Sequence, residues 1–78
     1  MVKLLVLADD FTGALDTGVQ FSNLGVETLV TTQVQLEQVK IPLNLEVLVV
    51  DTETRHVSDT AAYYLIHKLV EFAHRKNI

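Results

Sequence analysis

The chain has 78 residues, 49% hydrophobic and 21% charged, with a formal net charge of −4, no Cys, no Trp, three Gly and one Pro. It is too apolar for disorder, has no thiols for a disulfide scaffold or a thiolate metal site, and is too acidic for a nucleic-acid footprint. No apolar run approaches the ~20 residues of a membrane span. The apolar start, Met1 to Ala8, meets Asp9 and Asp10 too soon for a signal peptide, so a cytoplasmic location with neither membrane nor nucleic-acid partner is expected. At about half of a ~150-residue domain, with no linker or repeat, the chain is expected to be one incomplete domain, residues 1–78 of something larger.

In chain order, Lys3–Ala8 is a short apolar run with the length of a strand. A helix is expected over about Gly13–Leu24, capped by Asp10 or Thr12 and ended by Asn23-Leu24-Gly25. Phe21 and Val26 are placed for the hydrophobic contact of a Schellman motif. Leu15, Gly18, Val19 and Ser22 share a face, and Gly18 allows close helix–sheet packing or serves a ligand. A second strand follows at Val26–Thr31, then an unclear stretch, Thr32–Asn44, in which Gln33–Lys40 is expected to hold a short helix ended by Pro42. The third strand is Glu46–Val50. The last helix runs over Asp59–Arg75 from an N-cap at Ser58, burying Ala62, Leu65, Ile66, Leu69, Phe72 and Ala73, with Glu71 and Arg75 as an i,i+4 pair. Tyr63 and Tyr64 are expected to be partly buried, and His67 and His74 to lie on the surface, too far apart to chelate one metal.

No strand alternates cleanly, which points to a parallel sheet covered on both faces. The order βαβαβα predicts a three-layer α/β/α fold with a short parallel sheet of order 2-1-3. In such sheets ligands bind beyond the carboxyl ends of the strands, where strand order reverses. Strand one is followed by Asp9-Asp10-Phe11-Thr12-Gly13, and strand three by Asp51-Thr52-Glu53-Thr54-Arg55-His56. With strands one and three as neighbours, four of the ten acids converge with Arg55 in one crevice. Carboxylates so close need a cation or hydroxyl donors to stay ionised, and Arg55 offers a fork for a carboxylate or phosphate. A small sugar acid fits that set. The plain alternative is that Asp10 or Thr12 only caps a helix; Asp16 either complements the helix dipole or faces the crevice.

Phosphate-loop readings fail. Gly13-Ala14-Leu15-Asp16-Thr17-Gly18 has Walker A spacing, but Val19-Gln20 stands where Lys-Ser/Thr is required. It is not G-x-G-x-x-G, and Asp9 and Asp10 are adjacent rather than two apart as in aspartate-nucleophile phosphatases.

Ala8-Asp9-Asp10-Phe11-Thr12-Gly13-Ala14-Leu15-Asp16-Thr17-Gly18-Val19-Gln20 resembles the opening motif of the four-carbon acid sugar kinases, and Val49-Val50-Asp51-Thr52-Glu53-Thr54-Arg55-His56 resembles their second motif. Phe11 stands where Leu is more usual. The resemblance implies an N-terminal domain that binds a sugar acid such as threonate or erythronate, beside a C-terminal domain that binds ATP and Mg²⁺. It implies that Asp9, Asp10 and Arg55 contact the acid sugar and that Asp51, Thr52 and Glu53 shape the pocket; Thr12, Gly13 and Asp16 are candidate supporting residues beside it. Family enzymes are several times longer, so the expectation is a truncated substrate-binding part, inactive alone, with a separate nucleotide-binding chain as one route to activity. Two other classes remain open: a receiver-like phosphoacceptor using Asp9, Asp10 and Asp51, and a non-catalytic interaction module. Val47–Val50 is expected at an exposed sheet edge that favours homo-oligomers.

Overall fold

The computed structural model describes residues 2–76. Its elements are β1 (Leu4–Ala8), α1 (Phe11–Asn23), β2 (Thr28–Thr32), β3 (Val47–Asp51) and α2 (Asp59–Arg75). The strands form one parallel sheet in the order β1-β3-β2. The expected α/β fold with a parallel sheet is present, and β1 and β3 are neighbours as expected.

Two topological expectations need correction. The central strand is β3, not β1, so the order is not 2-1-3 and Val47–Val50 is no exposed edge. Every residue of β3 is buried. The physical reason is composition: Val47-Leu48-Val49-Val50 is unbroken apolar sequence and takes the position covered on both sides and both faces, whereas β2 carries Thr28, Thr31 and Thr32. The second correction concerns Gln33–Lys40, which forms turns rather than a helix. A single i→i+4 bond forms there, Val39 N–H to Gln35 O at 3.1 Å. Helix nucleation is unfavourable in so short a run, and Val34 and Val39 are β-branched. The connection instead drops Leu36 and Leu45 into the core.

Alternation along β3 divides the core in two. Val47 and Val49 face α1, in a cluster with Ala14, Val6, Phe21 and Val30. Leu48 and Val50 face the other side, against Leu36, Leu45, Leu65, Leu69 and Phe72. Thus α1 and α2 cover opposite faces of the sheet, the three layers expected.

Helix α1 starts earlier than expected because Asp10 is the cap, its side chain accepting from Gly13 N–H at 2.8 Å. Its end is the expected Schellman motif: Val26 N–H donates to Phe21 O at 3.2 Å, Gly25 N–H donates to Ser22 O at 3.0 Å, and Gly25 has φ +80°. Its buried face runs through Ala14 and Gly18 towards Phe21, while Leu15 and Val19 are exposed. A Cβ at Gly18 would lie 2.5 Å from Val30 Cγ2, so close packing on β2 explains this glycine. Helix α2 has the expected bounds and Ser58 cap. Tyr63 and Tyr64 are exposed rather than partly buried, in an edge-to-face pair, and His67 and His74 lie on the surface as expected. Glu71 pairs with His67 at 3.4 Å, not with Arg75.

Gly18→Ala gains about 1 kcal/mol of helix propensity but overpacks a stiff β-branched neighbour, at about 1–3 kcal/mol. Net destabilisation is expected in urea melts, relieved when Val30→Ala is added.

Candidate functional site

The parallel register ends with Ala8 opposite Asp51, so the two following loops leave the sheet side by side. Backbone and side chains join them there. Ala8 O accepts from Thr52 N–H at 2.8 Å and from Thr52 Oγ1 at 2.9 Å. Asp9 O accepts from Thr54 N–H at 3.0 Å and Arg55 N–H at 3.2 Å. Thr52 Oγ1 lies 2.8 Å from Thr54 Oγ1. Because α1 leaves β1 towards one face and α2 follows β3 on the other, these loops flank the point where the winding reverses.

The joined loops bring Asp9, Asp10, Asp51, Thr52, Glu53 and Arg55 together. The Arg55 guanidinium meets Asp10 Oδ2 at 2.9 Å and Asp9 Oδ1 at 3.4 Å. Asp10 therefore does two jobs, one carboxylate oxygen capping α1 and the other holding Arg55. Arg55 and Asp9 are about half exposed, so these pairs set geometry more than stability. Gly13 supports the cap by being small: a Cβ there would lie 2.8 Å from Asp10 Oδ1. Thr12 is exposed in the first turn of α1. Asp16 lies beyond that turn, exposed, about 9 Å along the axis from the cap at 1.5 Å per residue. His56 is exposed in the loop before α2.

Asp51 is wholly buried. Its Oδ1 accepts from Glu53 N–H at 3.0 Å, while its Oδ2 has no hydrogen-bond donor among the described residues. Glu53 has φ +53°, a left-handed conformation unusual for a residue with a Cβ. Its carboxyl is held above the ordinary 4.5, chiefly by the neighbouring Asp51 carboxyl, then by desolvation and by the charge of Asp10. Sequence reasoning overlooks Thr54, whose hydroxyl joins the Thr52 strut. The Thr-x-Thr spacing after β3 is the available signal.

Among the described residues no group of three His, Cys, Asp or Glu side chains is arranged to hold a metal ion, and no helix is long and apolar enough to cross a membrane. An open apolar groove of about 660 Å³ is lined by Ala62, Tyr63, Ile66, His67, Val70 and Glu71 of α2 alone. It is an exposed helix side rather than an enclosed pocket.

A doubly wound α/β unit with its polar groups at the carboxyl ends of neighbouring parallel strands is the layout of a small-ligand domain. Residues 4–78 match the family model described as sugar-binding N-terminal domain, and the chain belongs to that family, the N-terminal domain of the four-carbon acid sugar kinases. The chain is 43% identical over 63 residues to the D-threonate kinase of Salmonella typhimurium strain LT2, a match covering 78% of this chain and 14% of that protein. No solved structure matches significantly.

Because the folded state favours protonated Glu53, it binds more protons than the unfolded chain between pH 4.5 and the raised value. This contribution is fully present below pH 4.5 and is lost as pH rises through the raised value. In thermal melts at stepped pH, the Tm of Glu53→Gln relative to wild type is expected to rise from pH 4.5 towards neutrality.

Proposed function

We propose that this chain binds a four-carbon sugar acid at the β1/β3 crevice, as the substrate-binding part of an ATP-dependent kinase. The observation that carries this is the Arg55 guanidinium fixed between Asp9 and Asp10 beside a buried Asp51 with an oxygen that no described residue supplies with a donor. The D-threonate kinase relative supports the ligand class. Asp9, Asp10 and Asp51 accept ligand hydroxyls, Thr52 and Glu53 shape the floor, and the remaining N–H groups of Arg55 meet the ligand carboxylate. Several carboxylates surround one guanidinium, so hydroxyl groups are the first preference of the crevice, and the anionic end of the ligand relies on Arg55.

The described residues do not fit a nucleotide. The Gly13–Gly18 spacing lies inside α1, with Gly18 packed on Val30, and forms no loop of free N–H groups. ATP and Mg²⁺ are therefore held by other parts of the enzyme or by a separate chain, in the cytoplasm. Phosphoryl transfer depends on positioning those groups, so the chain alone is inactive.

Calorimetric titration tests both statements. D-threonate is expected to bind, and Arg55→Ala to weaken it about 10- to 100-fold, the size of a lost charged hydrogen bond of about 1.5–3 kcal/mol. Threitol, which lacks the carboxylate, should be little affected. Equal losses for both ligands would remove Arg55 from carboxylate recognition. Phosphorylation of threonate by the pure chain with ATP would overturn its inactivity.

β1 pairs only with β3 among the described residues, and its outer side is an apolar edge in which Leu4 is exposed. We infer that copies associate along β1, since an open apolar edge templates pairing. Sedimentation at micromolar concentration is expected to show dimers or larger species, reduced by Leu5→Pro, which removes a backbone donor on the side of β1 that faces away from β3.

A further inference from the structure

The hydroxyls of Thr52 and Thr54 form a series with one direction, which proton counting gives. Ala8 O is a carbonyl and can only accept, so the 2.9 Å bond from Thr52 Oγ1 uses the single proton of that hydroxyl. Thr52 Oγ1 also lies 2.8 Å from Thr54 Oγ1. With its own proton committed, Thr52 accepts in this contact and Thr54 donates. The bonds therefore run from Thr54 through Thr52 to Ala8 O. Thr52, at 1% exposure, is shielded from water that would break the series. Thr54 stands at its open end. It is half-buried, and its N–H donates to Asp9 O at 3.0 Å, which holds it against the loop after β1. Its hydroxyl has spent its proton but keeps lone pairs. To a group entering the crevice, Thr54 is an acceptor and not a donor.

The end of β3 has the same polarity. Asp51 is wholly buried, and its Oδ2 has no donor among the described residues. The charged donor of the joined loops is Arg55, beside Asp9 and Asp10. An oxygen that must accept takes a hydroxyl group and rejects a carbonyl or carboxylate oxygen, which brings no proton. Mismatch leaves polar groups unpaired, and that is where strong discrimination between similar ligands arises.

We propose that Thr54 is a specificity-determining residue that accepts one hydroxyl of the sugar acid, its acceptor character fixed by Thr52 and Ala8. This rests on the reading of the crevice as the sugar-acid site and names a residue that selects within it. The ligand hydroxyl extends the series by one member, and hydrogen bonds in such a series polarise one another. The ligand carboxylate is turned away from Thr54 and towards Arg55, so the two residues together orient the ligand.

Two measurements on the intact chain decide it. First, the Thr52 hydroxyl proton of the ligand-free chain is expected to exchange with water slowly enough to give an NMR signal. Fast exchange there overturns the proposal. Second, D-threonate and its three monofluoro analogues, each with one hydroxyl replaced by fluorine, are titrated calorimetrically. Fluorine is close to a hydroxyl in size but cannot donate. One analogue is expected to bind wild type about 3- to 10-fold more weakly than D-threonate, the size of one neutral hydrogen bond. Thr54→Val is expected to abolish that difference, and Thr54→Ser, which keeps the hydroxyl, to retain it. Thr54→Ala repeats the cycle without branched bulk if valine disturbs the fold. Penalties that are the same in wild type and in the variants lacking the hydroxyl, for all three analogues, overturn the proposal and leave the sugar-acid reading standing. Absence of any D-threonate binding by wild type overturns both.

Discussion

Everything at the crevice depends on the parallel pairing of β1 with β3 and on its continuation past the last paired residues. Two carbonyls, Ala8 O and Asp9 O, each accept two hydrogen bonds from the segment after β3. Those bonds convert sheet register into side-chain position. A parallel ladder points both carboxyl ends the same way, so acids that follow the strands in sequence meet in space. Thr52 is the joint: its amide and hydroxyl both reach Ala8, and its burial keeps water from competing. With that joint in place, Arg55 reaches Asp10 across the gap, and the start of α1 is tied to the end of β3 through one carboxylate.

Local signals predict the local structure. The Asp10 and Ser58 caps, the Gly25 turn and the bounds of α2 follow from residues within one helical turn, and each is present in the fold. The order of the strands is a different kind of fact. It depends on which apolar run gains most by being covered on every side, a comparison among segments distant in sequence. The unbroken Val47–Val50 run holds that answer, against the threonines of β2, but an αβ alternation alone does not weigh one strand against another. The segment after β2 departs from expectation for a related reason: its hydrophobic residues serve the sheet face through Leu36 and Leu45, not a helical stripe of their own.

The candidate site is more legible than the topology because it requires only that β1 and β3 be adjacent and parallel, whichever is central. Asp9, Asp10, Asp51 and Arg55 come together for that reason. Hidden from the sequence are the relations within the set: the double use of Asp10, the strut made by Thr52 and Thr54, and the turned-back Glu53. These depend on interatomic distances that residue types do not encode. The family match agrees with the resemblance carried by the two motif loops, and the match to the threonate kinase relative covers 14% of that relative's length.

The backbone of Glu53 carries a consequence for engineering. Glycine would adopt φ +53° without the steric cost that a side chain bears there, and asparagine tolerates it better than most residues. Selection of variants for heat resistance alone would therefore drift toward Glu53→Gly or Glu53→Asn, making the loop more comfortable while erasing a carboxyl from the crevice. Durability and chemistry pull in opposite directions at this one position, and a library sorted only by melting temperature would lose the residue without any sign in its readout.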